Sequence, residues 1–96
     1  MSKTPNQQEF YKKLKIQLEE TTTFPSKYMY KFIVPTIEGK IEEVTAKFDN
    51  LGAHISTKKS KNGKYTSISI QVVMESADAV IVKYKEVSVV EGIISL

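Results

Sequence analysis

The stretch YTSISIQVVM, residues 65–74, alternates with a period of two. Ile68, Ile70, Val72 and Met74 fall on one side, and Tyr65, Ser67, Ser69 and Gln71 on the other. Successive side chains of a strand point to opposite faces, so this spacing predicts a strand. Strands buried on both faces read as continuous apolar runs; one that is apolar on a single side belongs to a sheet covered on a single side. A slip of one residue would turn all four apolar side chains to water, which pins the register. Immediately before the strand stands Asn62-Gly63, a strong short-range hairpin signal, because both residues tolerate positive φ. The strand is therefore expected to pair antiparallel with AHISTKK, residues 53–59, whose main core residue is Ile55.

The remaining elements follow from periodicity and punctuation. YMYKFIVP, residues 28–35, is β-branched and aromatic and reads as a strand. Tyr30, Phe32 and Val34 share one of its faces; Met29, Lys31 and Ile33 share the other. Beyond Pro35, Thr36 is expected to cap a helix over residues 37–50, with Glu38 in its first turn. Ile37, Ile41, Val44, Phe48 and Leu51 form its apolar stripe, and Gly52 closes it. Ser76 caps a further helix with the stripe Ala77, Val80, Ile81, Tyr84 and Val87, ended by Gly92. IISL, residues 93–96, reads as a short last strand. Ahead of these elements, Phe10, Leu14 and Leu18, with Tyr11 beside them, predict a helix over residues 9–20. TTTFPSK ends it, since the residue before proline is pushed towards extended geometry. Residues 1–8 are expected to be an unstructured leader to a single domain over residues 9–96.

The order after the first helix is β-α-β-β-α-β. With short connections and right-handed crossovers, both later helices pack on one face of a four-stranded antiparallel sheet. The expected fold class is α+β, a ferredoxin-like two-layer sandwich with an additional N-terminal helix. The polar row of residues 65–71 is then the outside of a one-sided sheet.

Charge is concentrated in one place. Between Asn50 and Met74 there is no acid, yet Lys58, Lys59, Lys61 and Lys64 all lie there, more than accounting for a net charge of +3. All fourteen cationic side chains are lysine, and the absence of arginine argues against dedicated reading of phosphate or guanine, which favours its planar fork. There is no cysteine, hence no disulfide, thiol nucleophile or thiolate metal site. No apolar run approaches the length of a membrane span, and the polar opening residues lack a secretory core, so a cytoplasmic location is expected.

FPSKYMYKFIVP, then KNGKYTSISIQVVMESADAVIVKYKEV, then GIISL resemble the YbeD-like family of small uncharacterised bacterial proteins over most of residues 24–96. The resemblance implies a fold similar to ACT-type regulatory domains. VPTIEGKIEEVTAKFDNLGAHI is separately similar to the strand–helix–glycine–strand run of those domains. The turn here reads Pro35-Thr36-Ile37-Glu38-Gly39, without the Pro-Gly that ACT domains usually carry. The resemblance therefore implies the fold rather than amino-acid binding.

Candidate chemistry is sparse. His54 is the single histidine, with Asp49 the nearest acid and no second histidine or cysteine to complete a common metal set. Ser67 and Ser69 stand in no Gly-x-Ser-x-Gly elbow. Gly63 belongs to no phosphate-binding loop. No catalytic residue, cofactor or metal is expected, and the chain reads as non-enzymatic. The surface left to act is the open sheet face with its lysine-rich tip: Lys31, His54, Ser56, Lys58, Lys59, Lys61, Lys64, Tyr65, Ser67, Ser69 and Gln71. A regulatory or adaptor role is expected there, through a protein partner or a small-molecule effector, the chain being a monomer or weak homodimer. The alternative is weak nucleic-acid binding, with bases stacked on Tyr65 and Tyr28 beside the lysines. The RNA-binding consensus of such sheets is absent.

Overall fold

The computed structural model describes the backbone of residues 3–96 and the side chains of residues 8–96. Seven elements follow one another: α1 (Lys3–Thr21), β1 (Ser26–Pro35), α2 (Lys40–Ala46), β2 (His54–Lys59), β3 (Tyr65–Met74), α3 (Ala77–Val87) and β4 (Ile94–Ser95). The strands form one antiparallel sheet in the order β2-β3-β1-β4. Its backbone is the β1–β3 ladder, which runs from Ser26 opposite Met74 to Pro35 opposite Tyr65. Pro35 ends a central strand and so withholds no N–H from its interior.

The alternation of β3 is realised as read. Ile68, Ile70, Val72 and Met74 are buried together with Tyr30, Phe32 and Val34 of β1. Val44, Phe48, Ala77, Val80, Val87 and Val90 from the helical layer close over them, and Leu18 of α1 joins the same cluster. Each such side chain contributes about 1.5–3 kcal/mol by leaving water. All three helices thus send their apolar residues to one side of the sheet. α1 packs beside α3 rather than across the open face, using Tyr11, Leu14, Lys15 and Leu18, while Phe10 stays exposed. Its first turns occupy residues 3–8, where a leader was expected; Met1 and Ser2 of that leader lie outside the described residues. Pro5 is tolerated because the N–H it lacks has no partner in a first turn.

Several local expectations are corrected. The second helix starts at Lys40, not Ile37, and Thr36 does not cap it. The Thr36 amide donates to the Lys64 carbonyl (2.9 Å) and its hydroxyl pairs with that of Thr66 (2.8 Å), which keeps the residue with the sheet. Gly39, at φ +91°, makes the left-handed turn into α2, so Glu42 and Glu43 occupy its first turn. After Ala46 the chain tightens into i→i−3 bonds, such as Phe48 N–H to the Thr45 carbonyl (2.9 Å). Phe48 therefore stays in the core while Ile37 and Leu51 leave the stripe. α3 is capped as expected, Ser76 Oγ accepting from the Ala79 N–H at 3.1 Å, but it stops at Val87.

The hairpin works differently from a two-residue turn. Of Asn62 and Gly63, Gly63 alone has positive φ. Asn62 acts through its side chain: Oδ1 accepts from the Lys64 N–H (3.0 Å) and from the Ser60 hydroxyl (2.9 Å). Ile55 is 41% exposed, not a core residue. β2 lies at the margin of the sheet, beyond the reach of the seven-residue α2, and all six of its residues are exposed. Among the described residues no helix is long and apolar enough to cross a membrane.

Candidate functional site: the open sheet face

The uncovered face is ordered by the strand register. Ser56, Ser69 and Lys31 lie side by side across β2, β3 and β1. One step along, His54, Gln71 and Met29 form a second row. One step the other way, Lys58, Ser67, Ile33 and Ile94 form a third, which reaches β4. Tyr65, opposite Pro35, closes the face at the turn and is 48% exposed. The polar row expected on β3 is therefore where the sequence placed it. It is flanked on both sides by the residues named for it.

The lysines of the tip do not all share that face. Lys58 does, opposite Ser67; Lys59, opposite the buried Thr66, belongs to the helical side. Lys61 and Lys64 stand on the connecting turn. Tyr28 also faces the helices: its hydroxyl pairs with that of Tyr84 at 2.8 Å. Tyr65 is left as the sole aromatic side chain among the described strand residues of the open face.

Chemically the face is one-sided. Its strand residues offer cations, hydroxyls, an amide and an imidazole, and none of them is a carboxylate. Ser67 Oγ donates to the Lys58 carbonyl at 3.3 Å, the usual employment of a hydroxyl between strands. Two shallow depressions mark the surface. One, of about 180 Å³, lies among Met29, His54, Ser56, Ser69 and Gln71. The other, of about 360 Å³, lies among Ile33, Lys58, Lys61, Tyr65 and Ser67. Among the described residues no three histidine, cysteine or acidic side chains converge as metal ligands do.

A larger groove of about 530 Å³ lies in the helical layer, between α1 and α3. Two of its lysines are engaged: Lys15 meets Asp78 at 3.1 Å, and Lys85 Nζ lies 5.5 Å from the Tyr11 ring centre. The hydrogen bond that Lys15 Nζ donates to the Asp78 carboxylate, together with the negative charge of that carboxylate, raises the Lys15 pKa. These pairs fasten α1 to α3, and the groove is the seam they leave.

Ile94 was missed on the open face. A two-residue strand has too little periodicity to show its register, and only its pairing with Ile33 places it there.

The family described as "Protein of unknown function (DUF493)" matches residues 19–95 of the chain. The chain belongs to this family. It is the YbeD-like family whose residues the sequence resembled. Curated relatives agree. The UPF0250 proteins of Haemophilus influenzae strains PittEE and PittGG are each 32% identical over 80 residues, covering 80% of this chain and 87% of theirs. The UPF0250 protein of H. influenzae strain Rd matches equally. No solved structure matches the chain at a comparable level of significance. The family match begins near the end of α1 and takes in the sheet with α2 and α3.

Proposed function

We propose that the chain is a ferredoxin-like, ACT-like binding domain with a regulatory or adaptor role, acting through its open sheet face without catalysis. The observation that carries this reading is the one-sided sheet: a face of about a dozen strand residues carries no acid and exposes Met29, Tyr65 and Ile94 among hydroxyls and lysines. Such a surface suits a partner that brings hydrogen-bond acceptors, negative charge and a few dispersed apolar side chains. The shallowness of both depressions favours a protein partner over a small molecule, since small ligands are held in deep clefts. Self-association through so mixed a face would be weak, consistent with a monomer or weak homodimer.

The test compares the chain with an open-face variant, Lys31→Glu/Ser69→Glu. Partners captured from cell extract by the native chain and lost by the folded variant support the reading. Identical partner sets, together with unmoved Lys31, Ser67 and Ser69 amide signals on adding anionic metabolites, refute it.

A second reading rests on the exposed Tyr65 beside Lys58 and Lys61, an arrangement that offers one stacking platform and local positive charge. It predicts salt-steep binding of single-stranded oligonucleotides that disappears when Lys58, Lys59, Lys61 and Lys64 are changed to glutamine.

A further inference from the structure

The sheet has a second free surface, distinct from its open face, at the margin formed by β2. All six β2 residues are exposed, and among the described residues no helix packs closely on the strand. The phase of its hydrogen bonding follows from the turn. Ser60 N–H donates to the Tyr65 carbonyl at 2.8 Å, and bonded and non-bonded pairs alternate along an antiparallel ladder. Lys58, Ser56 and His54 therefore turn their backbone groups towards β3. Ile55, Thr57 and Lys59 turn theirs outward, away from the sheet. An edge of this kind is a template for another strand.

The charge around the edge selects what can pair with it. Lys58 and Lys59 lie on it, Lys61 and Lys64 follow on the turn, and no acid occurs between Asn50 and Met74. A second copy paired antiparallel would set Lys58 and Lys59 against residues 54–56, which carry no acid, so it offers these lysines no counter-charge. An acidic strand supplies one. The side chains on the helical side of the edge, Ile55 and Thr57, offer a β-branched surface to the alternate residues of an incoming segment.

We propose that the outer edge of β2 is a docking site for an extended acidic segment of another protein, which adds to the sheet as a fifth strand beside β2. Backbone hydrogen bonds to Ile55, Thr57 and Lys59 supply the pairing. Acidic side chains opposite Lys58 and Lys59 supply direction and selectivity. The proposal does not depend on Lys31 or Ser69 of the open face; Lys58 borders both surfaces, and Thr57→Pro and the methylated peptide address the edge alone.

The probe is a labelled peptide, Glu-Glu-Val-Thr-Val, whose acids meet Lys59 and Lys58 when it runs antiparallel to β2. Amide hydrogen exchange of the full chain should slow at Ile55, Thr57 and Lys59 by about tenfold at saturation. Thr57→Pro removes an outward N–H without touching the β3 ladder, so the variant keeps its circular dichroism and loses the peptide. Lys58→Gln/Lys59→Gln should weaken binding and flatten its salt dependence. The same peptide with alternate backbone nitrogens methylated should not bind; this control leaves the protein unaltered. Several results overturn the proposal: a lysine-for-glutamate peptide that binds equally well, a methylated peptide that binds like its parent, protection that appears elsewhere, or no binding. Sedimentation of the chain alone as a dimer that Thr57→Pro disperses also overturns it, since a second copy then occupies the edge.

Discussion

The hydroxyls of Tyr28 and Tyr84 lie 2.8 Å apart and join the first strand to the third helix across the core. The two rings meet edge to face, with centroids 6.2 Å apart, and both pack on Tyr30. Tyr30 in turn donates to the Val80 carbonyl at 3.1 Å. Three phenols are thus held in a largely apolar layer, and each has a partner.

Replacing either member of the pair by phenylalanine should cost about 1 kcal/mol in urea unfolding. The double replacement should cost less than the sum, because each single change strands the other hydroxyl. Strict additivity in the double-mutant cycle would show that the two oxygens do not interact.

The same burial makes the fold sensitive to alkali. Desolvation raises the pKa values of Tyr30 and Tyr84 above the ordinary 10.0, and for Tyr84 the Tyr28 hydrogen bond adds to it. Below pH 10 both folded and unfolded chains keep the phenol protons, and this part of the stability is fully present. Above it, the unfolded chain releases protons that the folded chain retains, so stability falls as pH rises. The urea midpoint should fall progressively as pH rises above about 10, and the fall should be shallower in Tyr84→Phe.

Thr66 is the buried polar residue of the core, 1% exposed, and its hydroxyl is met by that of Thr36. Thr36→Val leaves it unpartnered, at a cost of about 1–3 kcal/mol. Adding Thr66→Val should restore most of that loss. A double variant no more stable than the single one would assign the loss to something other than this pair.

The two sides of the β2–β3 ladder should respond unequally to truncation. Ile70→Ala empties a fully buried position and should cost about 2–5 kcal/mol. Ile55→Ala, directly opposite it, should cost about 1 kcal/mol or less, because that side chain already meets water. Equal melting shifts would mean that something covers the margin of the sheet in solution.

Ser76→Ala should cost about 1 kcal/mol, since its side chain accepts the Ala79 N–H at the start of α3. Ser76→Asp should be nearly neutral in thermal unfolding.

Element types and the face of β3 were legible because they rest on long, repeated alternation: five consecutive even positions from Thr66 to Met74 are buried. Helix ends were less so, because tertiary bonds override local signals. Thr36 has the chemistry of a cap, and nothing in its neighbours reveals that Thr66 will take its hydroxyl. Ile55 has the composition of a core residue, but its burial depends on how far α2 reaches over the sheet, which is set by where that helix begins. The open-face residues were found together because they follow from one register. The edge of β2 was not, since strand order and hydrogen-bond phase are properties of the assembled sheet.

At the corner leading into β4, Gly92 has φ +83°, and a Cβ placed on it would come within 3.0 Å of Pro35 Cγ. The end of the first strand and the approach to the last are therefore interlocked, although they stand far apart in the chain. A side chain at 92 would have to displace the proline ring, and with it the short closing strand. Drift at these two positions is accordingly tied: among relatives, loss of the glycine should be found only where the ring opposite it has also gone.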